Sequence, residues 1–464
     1  MRILYAIHDF LPRHAAGSQV YAFDLARAVA RQGHEVRFFT SESREGPEVI
    51  ERSTGGIAVT EVPQRRRVGR LSDSFSHAPA EEAFSAELAH FRPDVVHYHH
   101  LLHLSLSLPE RVGRGTPQVM TLHDYFLSCP RGGQRLDWQG EICEQVDLEK
   151  CSKCMARFWS EVSLPGRVAE RIEAAIAGAP LLGKSRATLS PAPGPLAWAA
   201  WKALGLAPSA LGLPAKYDAA ENRVDLELRG KMIRSVLDRM DRFIAPSAFL
   251  ARKMREWGLS QEKLLVSDYG FGEMRPSGGR RPGSSDSLRV GYVGTLVPHK
   301  GVHHLVEAFR LGRQGRTSLH IYGDPVAFPS YSRRLRARAR GLPVVFEGGF
   351  APEDRSAVYS GVDLLVLPSI WWENSPLTIH EAHLSGVPVL VPRHGAFVDL
   401  VRDGVDGLFY EPGNPADLAR QIGRFCADDG LRANLRPDPR RVKSIQEDAA
   451  WTIALYQELG RAKA

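Results

Sequence analysis

The sequence predicts two α/β domains whose parallel sheets face each other across a cleft. Its 464 residues are more than one compact core usually holds, which favours two domains. Apolar, strand-like segments alternate with segments of helical periodicity in both halves of the chain. A stretch rich in Gly, Ser, Pro and Arg, residues 272–287, separates these halves and is the predicted linker. Strands that alternate with helices are typical of parallel sheets covered by helices on both faces.

The first alternating region is predicted to form an N-terminal domain, residues 1–271. Its predicted strands are residues 3–7, 35–40, 57–62, 95–98 and 118–122, and its predicted helices are residues 17–31, 79–91 and 104–112. The alternation stops between about residue 155 and residue 230, where tryptophans accompany a stretch rich in Pro, Ala and Leu. We interpret this stretch as a mostly helical insertion, either a cap with its own core or a lobe that binds a membrane surface or a substrate.

The second alternating region is predicted to form a C-terminal domain, residues 288–444. Its predicted strands are residues 288–294, 318–322, 344–346, 362–368 and 387–391, and residues 302–310 form a predicted helix. Residues 445–464 are expected to form a helix that packs back on the N-terminal domain. Open parallel sheets bind ligands at the carboxyl ends of their strands, so the cleft between the two domains is the expected site.

Two glutamates, Glu373 and Glu381, flank the start of a predicted helix in the C-terminal domain. Ser375 is expected to cap this helix, Pro376 to occupy its first position, and Gly386 to end it in a left-handed conformation. A strand, an acidic loop and a helix in this order place free N–H groups and a positive dipole end at the sheet edge. That edge favours an anionic ligand, and the carboxylates beside it suit sugar hydroxyls, which are good donors.

These residues resemble the motifs of glycosyltransferase family 4, whose members are retaining enzymes with the two-domain GT-B fold. The most specific likeness is the Glu-x7-Glu pair formed by Glu373 and Glu381. Supporting motifs are Gly-Tyr-Val-Gly-Thr-Leu-Val-Pro-His-Lys-Gly at 291–301, Ala-Pro-Ser at 245–247 and Gly-His-Glu-Val at 33–36. The resemblance covers most of the chain and points to a subgroup with a cysteine cluster after a His-Asp motif. It implies an acceptor-side N-terminal domain and a C-terminal domain that binds the nucleotide sugar.

The resemblance assigns catalytic roles to three residues. Lys300 would neutralise the donor diphosphate, Glu373 would hold hydroxyls of the donor sugar, and His123 would lie near that sugar and the leaving phosphate. The resemblance also implies that Glu381 contacts the ribose, and that the backbone of Asn374, Ser375 and Leu377 contacts the sugar and the distal phosphate. Gly17 and Ser18 would approach the diphosphate. Gly349 and Phe350 would lie near the nucleobase. The family often has a basic residue where this chain has Thr295, so diphosphate binding would depend on Lys300 and on main-chain donors or a further cation.

The function implied is that of a retaining hexosyltransferase which needs no metal or other cofactor for catalysis. No Asp-x-Asp diphosphate-metal motif stands in a plausible loop. The expected donor is a UDP- or GDP-sugar, and the expected acceptor is a glycan or lipid-linked molecule of cell-envelope polysaccharide synthesis. Two alternatives remain open at this point. The chain could be a catalytically weak nucleotide-sugar-binding component of a glycan assembly complex, or a nucleotide-sugar epimerase of the same fold.

The net charge of +7 comes from an excess of arginine, with clusters at 65–67, 280–281 and 333–340. These clusters are either solvated surface or a means of attraction to anionic lipid head groups or phosphorylated ligands. Nucleic acid is not an expected partner, because no nucleic-acid-binding motif accompanies the charge. The N-terminus lacks a signal peptide's apolar stretch and cleavage site, so we expect a cytoplasmic protein, either free or peripherally bound to the cytoplasmic face of the membrane.

Four of the five cysteines cluster after the His123-Asp124 pair: Cys129, Cys143, Cys151 and Cys154. A cytoplasmic cluster of this kind favours metal binding over disulfides, and the Cys-x2-Cys pair at 151 and 154 supplies half of a tetrahedral zinc site. The sequence therefore predicts a structural zinc, with reduced buried thiols or a redox pair as alternatives. Cys426, alone on a helical stretch, is expected to be core.

Overall fold

The computed structural model describes residues 1–43, 46, 48–64, 70–162, 219–272, 274, 287–312, 317–326 and 328–463. Most of the predicted insertion and most of the predicted linker lie outside the described residues. Within the described parts of the chain, no helix is both long enough and apolar enough to cross a membrane.

The N-terminal region forms an eight-stranded sheet with the order β3-β4-β2-β1-β5-β6-β7-β8. Its strands are β1 (Arg2–His8), β2 (Glu35–Glu42), β3 (Ile50–Thr54), β4 (Ile57–Pro63), β5 (Val95–Tyr98), β6 (Gln118–Thr121), β7 (Arg242–Ala245) and β8 (Leu264–Val266). Its helices are α1 (Gly17–Arg31), α2 (Ala78–Phe91), α3 (Leu108–Arg111), α4 (Leu148–Val162), α5 (Ala219–Arg239) and α6 (Ala248–Glu256). Every strand pair of this sheet is parallel except β3 with β4.

The C-terminal region forms a six-stranded parallel sheet with the order β11-β10-β9-β12-β13-β14. Its strands are β9 (Leu288–Val293), β10 (Thr317–Tyr322), β11 (Val344–Gly348), β12 (Leu364–Val366), β13 (Val389–Pro392) and β14 (Gly407–Tyr410). Its helices are α7 (Val302–Leu311), α8 (Pro329–Arg338), α9 (Arg355–Ser360), α10 (Leu377–Leu384), α11 (Phe397–Leu400), α12 (Pro415–Ala427) and α13 (Asp429–Asn434), and α14 (Ile445–Lys463) follows them.

Each sheet is buried between two apolar layers because successive strand residues point to opposite faces. In β1, Leu4 and Ala6 pack into one cluster, while Ile3, Tyr5 and Ile7 pack into the other. Alternating strand residues of the C-terminal sheet divide between two further clusters in the same way. Both sheets are therefore covered on both faces, which confirms the predicted fold class of two parallel α/β domains.

The last helix, α14, packs on α1 of the N-terminal region. Tyr21 of α1 donates a hydrogen bond to Asp448 of α14 at 2.9 Å, and the same carboxylate accepts one from the Gly270 N–H at 2.9 Å. A side chain at position 270 would collide with this helix, because its Cβ would lie 2.5 Å from the Asp448 Cβ. The segment that follows β8 is thus held tightly against α14.

Candidate active site

Three loops meet at the carboxyl edge of the C-terminal sheet, after β9, β12 and β13. The first two touch at Gly301, where an added Cβ would lie 1.9 Å from the carbonyl oxygen of Pro368. Gly301 also has a φ of +67°, a conformation that only glycine adopts readily. The second and third loops are joined by a hydrogen bond of 3.2 Å from the Ala396 N–H to the Glu373 carbonyl. These contacts bring Lys300, which precedes Gly301, beside the acidic loop.

The structure pairs Lys300 with Glu373, the two residues predicted to act on the donor. Their Nζ and Oε1 atoms are 2.7 Å apart, and Ser369 donates a second hydrogen bond of 2.6 Å to the same oxygen. The Glu373 side chain is 5% exposed and that of Lys300 is 26% exposed. Burial raises the pKa of Glu373, but the Lys300 charge and the hydrogen bonds outweigh burial and leave the pKa below its usual value. The Glu373 carboxylate is therefore ionised near pH 7, and the Lys300 side chain beside it is partly exposed.

Glu381 lies on α10 and is also buried, at 7% exposure. Tyr359 donates a hydrogen bond of 2.6 Å to its Oε2, and a guanidinium nitrogen of Arg355 lies 3.3 Å from its Oε1. Burial raises the pKa of Glu381 above its usual value, although Arg355 and Tyr359 act in the opposite direction. Sequence reasoning did not find Arg355 or Tyr359, because both lie on α9 and reach Glu381 only through the fold.

The predicted cap of α10 is wrong. The helix begins at Leu377 with Pro376 at the N-cap position, and Pro376 forms no side-chain capping bond. The Ser375 hydroxyl instead donates a hydrogen bond of 2.6 Å to Asp268, which follows β8, and lies 2.9 Å from His380 Nε2. Ser375 stands one residue before the N-cap, and its hydroxyl is held by Asp268 and His380 instead of by the amides of the first turn. The first-turn amides of α10 therefore keep no serine cap.

Other predicted site residues meet where the acidic loop touches the N-terminal region. The Asn374 side chain donates a hydrogen bond of 2.6 Å to the backbone carbonyl of His123. An added Cβ at Gly17, the first residue of α1, would lie 3.4 Å from the Leu377 side chain. Ser18 is adjacent and donates a hydrogen bond of 3.0 Å to Gln19. The carboxyl edges of both sheets thus contribute residues to one cleft.

His123 is held through both nitrogens of its ring. Its Nδ1 is 2.7 Å from the Tyr269 hydroxyl and its Nε2 is 3.0 Å from His99 Nδ1. The rings of His99 and Tyr269 stack on its two sides, with centroids 5.3 and 5.5 Å away. Burial, together with the neighbouring His100, lowers the pKa of His123 to about 3. The ring is therefore neutral near pH 7, and sequence reasoning missed the partners that hold it.

Gly349 and Phe350 lie toward the other side of the C-terminal sheet, whereas Thr295 is in the loop after β9 that also carries Lys300. Thr295 is exposed, and its carbonyl accepts a hydrogen bond of 2.8 Å from Tyr292 of β9. The Phe350 ring lies 6.2 Å from that of Tyr322 on β10. Gly349 and Phe350 follow β11, which is separated from β12 by two strands. They stand apart from Glu373, which follows β12.

The four clustered cysteines line one cavity. Burial and the neighbouring thiols raise the pKa of Cys151 to about 12, and burial raises that of Cys154 to about 11. Among the described residues, their sulphurs do not form a group of three within 4.8 Å of one another; Asp9, His14 and Glu42 do. In that second group, His14 Nε2 already lies 2.8 Å from a Glu42 oxygen. The predicted zinc ligands share one cavity, but their sulphur atoms lie farther apart than in a metal centre that holds its ion.

Both halves of the chain match glycosyltransferase families. Residues 15–151 match the family described as Glycosyltransferase Family 4, and residues 287–428 match the family described as Glycosyl transferases group 1. Glu373 and Glu381 lie within the second match, and His123 lies within the first.

Known proteins similar to the chain include a named mannosyltransferase and solved structures that share its fold. A GDP-mannose-dependent alpha-mannosyltransferase of Corynebacterium glutamicum is 30% identical over 44% of this chain and 48% of its own length. The chain thus spans less than half the length of this curated relative. The sucrose-phosphate synthase of Thermosynechococcus elongatus superposes with a TM-score of 0.65 at 17% identity over 99% of both chains. Anabaena HepE in complex with UDP-glucose gives a TM-score of 0.56 at 16% identity, over 100% of this chain and 99% of its own. The two domains therefore have the GT-B fold and carry glycosyltransferase family domains.

Proposed function

We propose that this chain, whose two domains match glycosyltransferase families, is a retaining, metal-independent hexosyltransferase that uses a nucleotide-diphosphate sugar. The observation that carries the proposal is the Lys300–Glu373 pair, 2.7 Å apart at the carboxyl edge of the C-terminal sheet. Lys300 is 26% exposed and would face the donor beside the start of α10. A cation and helix amides suit a diphosphate, and the buried carboxylates of Glu373 and Glu381 suit hydroxyl donors.

The proposed reaction depends on stabilising the leaving group. As the bond between the sugar's anomeric carbon and the phosphate oxygen breaks, negative charge grows on the nucleoside diphosphate. Lys300 and the first-turn amides of α10 would stabilise that charge. The acceptor hydroxyl attacks the same carbon from the leaving group's face, and a phosphate oxygen takes its proton. The new bond then keeps the configuration of the old one, and no metal is required.

The remaining residues would position the donor. Glu381, supported by Arg355 and Tyr359, would accept hydrogen bonds from the ribose, and Glu373 would accept them from the sugar. His123 would lie near the sugar as a neutral ring that Tyr269 and His99 hold in place, because its pKa is about 3. Asn374 joins the two domains across the same point. Gly349 and Phe350 would approach the base, and Gly17 and Ser18 the diphosphate.

The donor base and the acceptor are narrower parts of the proposal. A relative is named for GDP-mannose and a similar structure contains UDP-glucose, which makes UDP- and GDP-sugars the candidates. We propose a glycan or lipid-linked acceptor at the cytoplasmic face of the cell envelope. The exposed arginines of α8 suit an anionic lipid surface. They are Arg333, Arg334, Arg336 and Arg338. Any zinc at the cysteine cluster would be structural, because no step of the reaction uses it.

The test is a panel of UDP- and GDP-sugars with the purified full chain, read by thermal stabilisation and by donor hydrolysis. We expect one donor class to raise the melting temperature and to be hydrolysed slowly. Glu381→Gln and Lys300→Met should lose both effects, whereas Glu262→Gln and Lys231→Met, on exposed residues, should keep them. Tight binding with no turnover would favour the binding-component alternative, and an epimerised donor would favour the epimerase.

A further inference from the structure

The four cysteines of the cluster reach one cavity from three separate pieces of chain. Cys129 lies in the turn that follows His123, and its carbonyl accepts a hydrogen bond of 3.2 Å from the Gly133 N–H. Cys143 ends a hairpin, since its N–H donates to the Arg135 carbonyl at 2.8 Å. Cys151 and Cys154 are one turn apart on α4, so their side chains share one face of the helix. Four thiols in one cavity match the ligand number of a tetrahedral zinc site.

The cavity is also lined by one buried cation, Arg135, that has no anionic partner among the described residues. Arg135 is 4% exposed, and its Nε and Nη1 atoms find no hydrogen-bond partner among the described residues. Lys150 also lines the cavity, but it is paired with Asp137 at 2.8 Å. Arg229, at 5% exposure, interacts electrostatically with Cys129 and Cys151. A buried charge without a partner is costly, and neutral thiols do not offset it. Thiolates bound to a metal would offset this buried positive charge, because four of them around Zn²⁺ carry a net charge of −2.

The backbone is arranged to support a thiolate at Cys129. The Arg135 N–H donates a hydrogen bond to the Cys129 sulphur at 3.4 Å. Gly132 and Gly133, with φ of +54° and +73°, make the turn that brings position 135 back to this sulphur. Hydrogen bonds to ligand atoms are the usual outer support of metal sites, because they orient the ligand and stabilise its charge.

We propose that Cys129, Cys143, Cys151 and Cys154 bind one structural Zn²⁺ as a tetrathiolate, with Arg135 as a buried counter-charge. Binding releases the four thiol protons to water and forms four Zn–S bonds. With Zn–S distances of about 2.3 Å, the sulphurs lie about 3.8 Å apart in a tetrahedron. The sulphurs must therefore move closer together on binding, as the hairpin and the turn close onto the first turns of α4.

This metal would stiffen one wall of the cleft. The Arg135 guanidinium lies 6.0 Å from the Tyr125 ring and 5.8 Å from the ring of Trp372, which is next to Glu373. The Trp372 ring is 4% exposed and packs 6.0 Å from Tyr125. Zinc would thus fix the segment of the N-terminal region on which the acidic loop rests. The zinc proposal itself does not depend on the proposed sugar transfer.

The first test is metal analysis of the full chain purified without chelators, beside Cys151→Ser, Cys154→Ser and the matched control Cys426→Ser. Cys426 lies outside the cavity, 3.3 Å from the Thr317 hydroxyl. We expect close to one zinc per chain in the wild type and in the control, and less than half in the two cluster variants. Replacement by Co²⁺ should give the absorption of a tetrahedral thiolate site. Less than half an equivalent of zinc in the wild type, even after zinc is added, would overturn the proposal, as would a disulfide between cluster cysteines.

A second test needs no cysteine variant to fold. A mercurial reagent added to the wild-type protein should release zinc into a metal indicator as four thiols react. We expect Arg135→Gln to release zinc to a chelator about tenfold faster than the wild type, as loss of outer support commonly does. An unchanged rate would remove Arg135 from the proposal. Four thiols that react as quickly as free cysteine, with no zinc released, would refute the site.

Discussion

Replacing Lys300 with methionine tests the electrostatic design of the site. The change keeps an unbranched side chain but removes the cation that lies 2.7 Å from Glu373. Glu373 is left 5% exposed, with the Ser369 hydroxyl as a hydrogen-bond donor but without the lysine's charge. Removing one partner of a buried ion pair is costly because the other charge stays buried.

The size of the effect follows from the burial of the two groups. Breaking a fully buried pair costs about 3–5 kcal/mol. The Lys300 side chain is 26% exposed, so water enters more easily and the loss should lie near the lower value, about 3 kcal/mol. In a domain of 150–250 residues, each kcal/mol shifts the melting temperature by about 2–4 °C. We therefore expect the transition of the C-terminal domain to fall by about 6–12 °C.

The assay is calorimetric and includes a double-mutant cycle. Lys300→Met, Glu373→Gln and the double variant are melted beside Lys231→Met, which removes the same charge from an exposed position. Lys231→Met should stay within about 0.5 kcal/mol of the wild type. The double variant should be more stable than Lys300→Met, because the stranded carboxylate is gone. The coupling energy should exceed about 1 kcal/mol.

The loss of stability in Lys300→Met should also depend on pH, in a direction that the pKa of Glu373 sets. In the wild type the pKa of Glu373 lies below its usual 4.5, so its contribution is present above that pH and is lost as the pH falls through the folded-state pKa. Without Lys300 burial dominates, and the pKa should rise above 4.5. In Lys300→Met, Glu373 then becomes neutral as the pH falls. The loss of stability of this variant relative to the wild type should therefore be largest near pH 7 and should narrow toward pH 4. A deficit that is constant with pH, or no larger than that of Lys231→Met, would refute this reasoning.

Three further predictions concern other parts of the cleft. Glu381→Gln should weaken donor binding at least tenfold in calorimetric titration. As the pH is lowered, the donor affinity of the wild type should begin to fall while the pH is still above 4.5, because burial raises the pKa of Glu381. Gly301→Ala should cost about 2–5 kcal/mol in thermal melts and abolish donor stabilisation, since its Cβ would lie 1.9 Å from the Pro368 carbonyl oxygen. Gly270→Ala should cost about 1–3 kcal/mol and expose α14 to proteolysis, because its Cβ would lie 2.5 Å from the Asp448 Cβ.

Alanine at Gly113 and at Gly272 provides the matched controls for the two glycine variants. An added Cβ meets nothing within 4 Å at either position. Both controls should melt within about 0.5 kcal/mol of the wild type. Equal stability of Gly301→Ala and Gly113→Ala would contradict the contact between the first two loops. Unchanged donor affinity in Glu381→Gln would remove that carboxylate from the donor site.

The fold class was predictable because apolar strands and amphipathic helices alternate through most of the chain. The strands that the sequence did not predict are short or lie at sheet edges. β3 (Ile50–Thr54) pairs antiparallel at one edge and is half exposed, so its residues lack the continuous apolar run of β1. β8 (Leu264–Val266) has three residues at the other edge. A predicted helix over 104–112 shrinks to α3 (Leu108–Arg111), since Pro109 fits only the first turn.

Within the site, local sequence spacing predicted the acidic pair, but not the partners that the fold supplies. Glu373 and Glu381 were found because they stand around one helix start. Arg355 comes from α9 and Asp268 from the other half of the chain, and no local pattern links either to α10. The error at Ser375 has the same origin, since a serine before a helix normally caps it. Only the folded chain shows that the helix begins one residue later and that the Ser375 hydroxyl binds Asp268.

The most direct test is a structure of the protein with the donor class that stabilises it, in a non-hydrolysable form. We predict that the diphosphate lies within hydrogen-bond reach of Lys300 and the start of α10. Glu373 should contact the sugar hydroxyls and Glu381 the ribose. A bound donor whose diphosphate lies elsewhere, with both carboxylates free of its hydroxyls, would contradict the account.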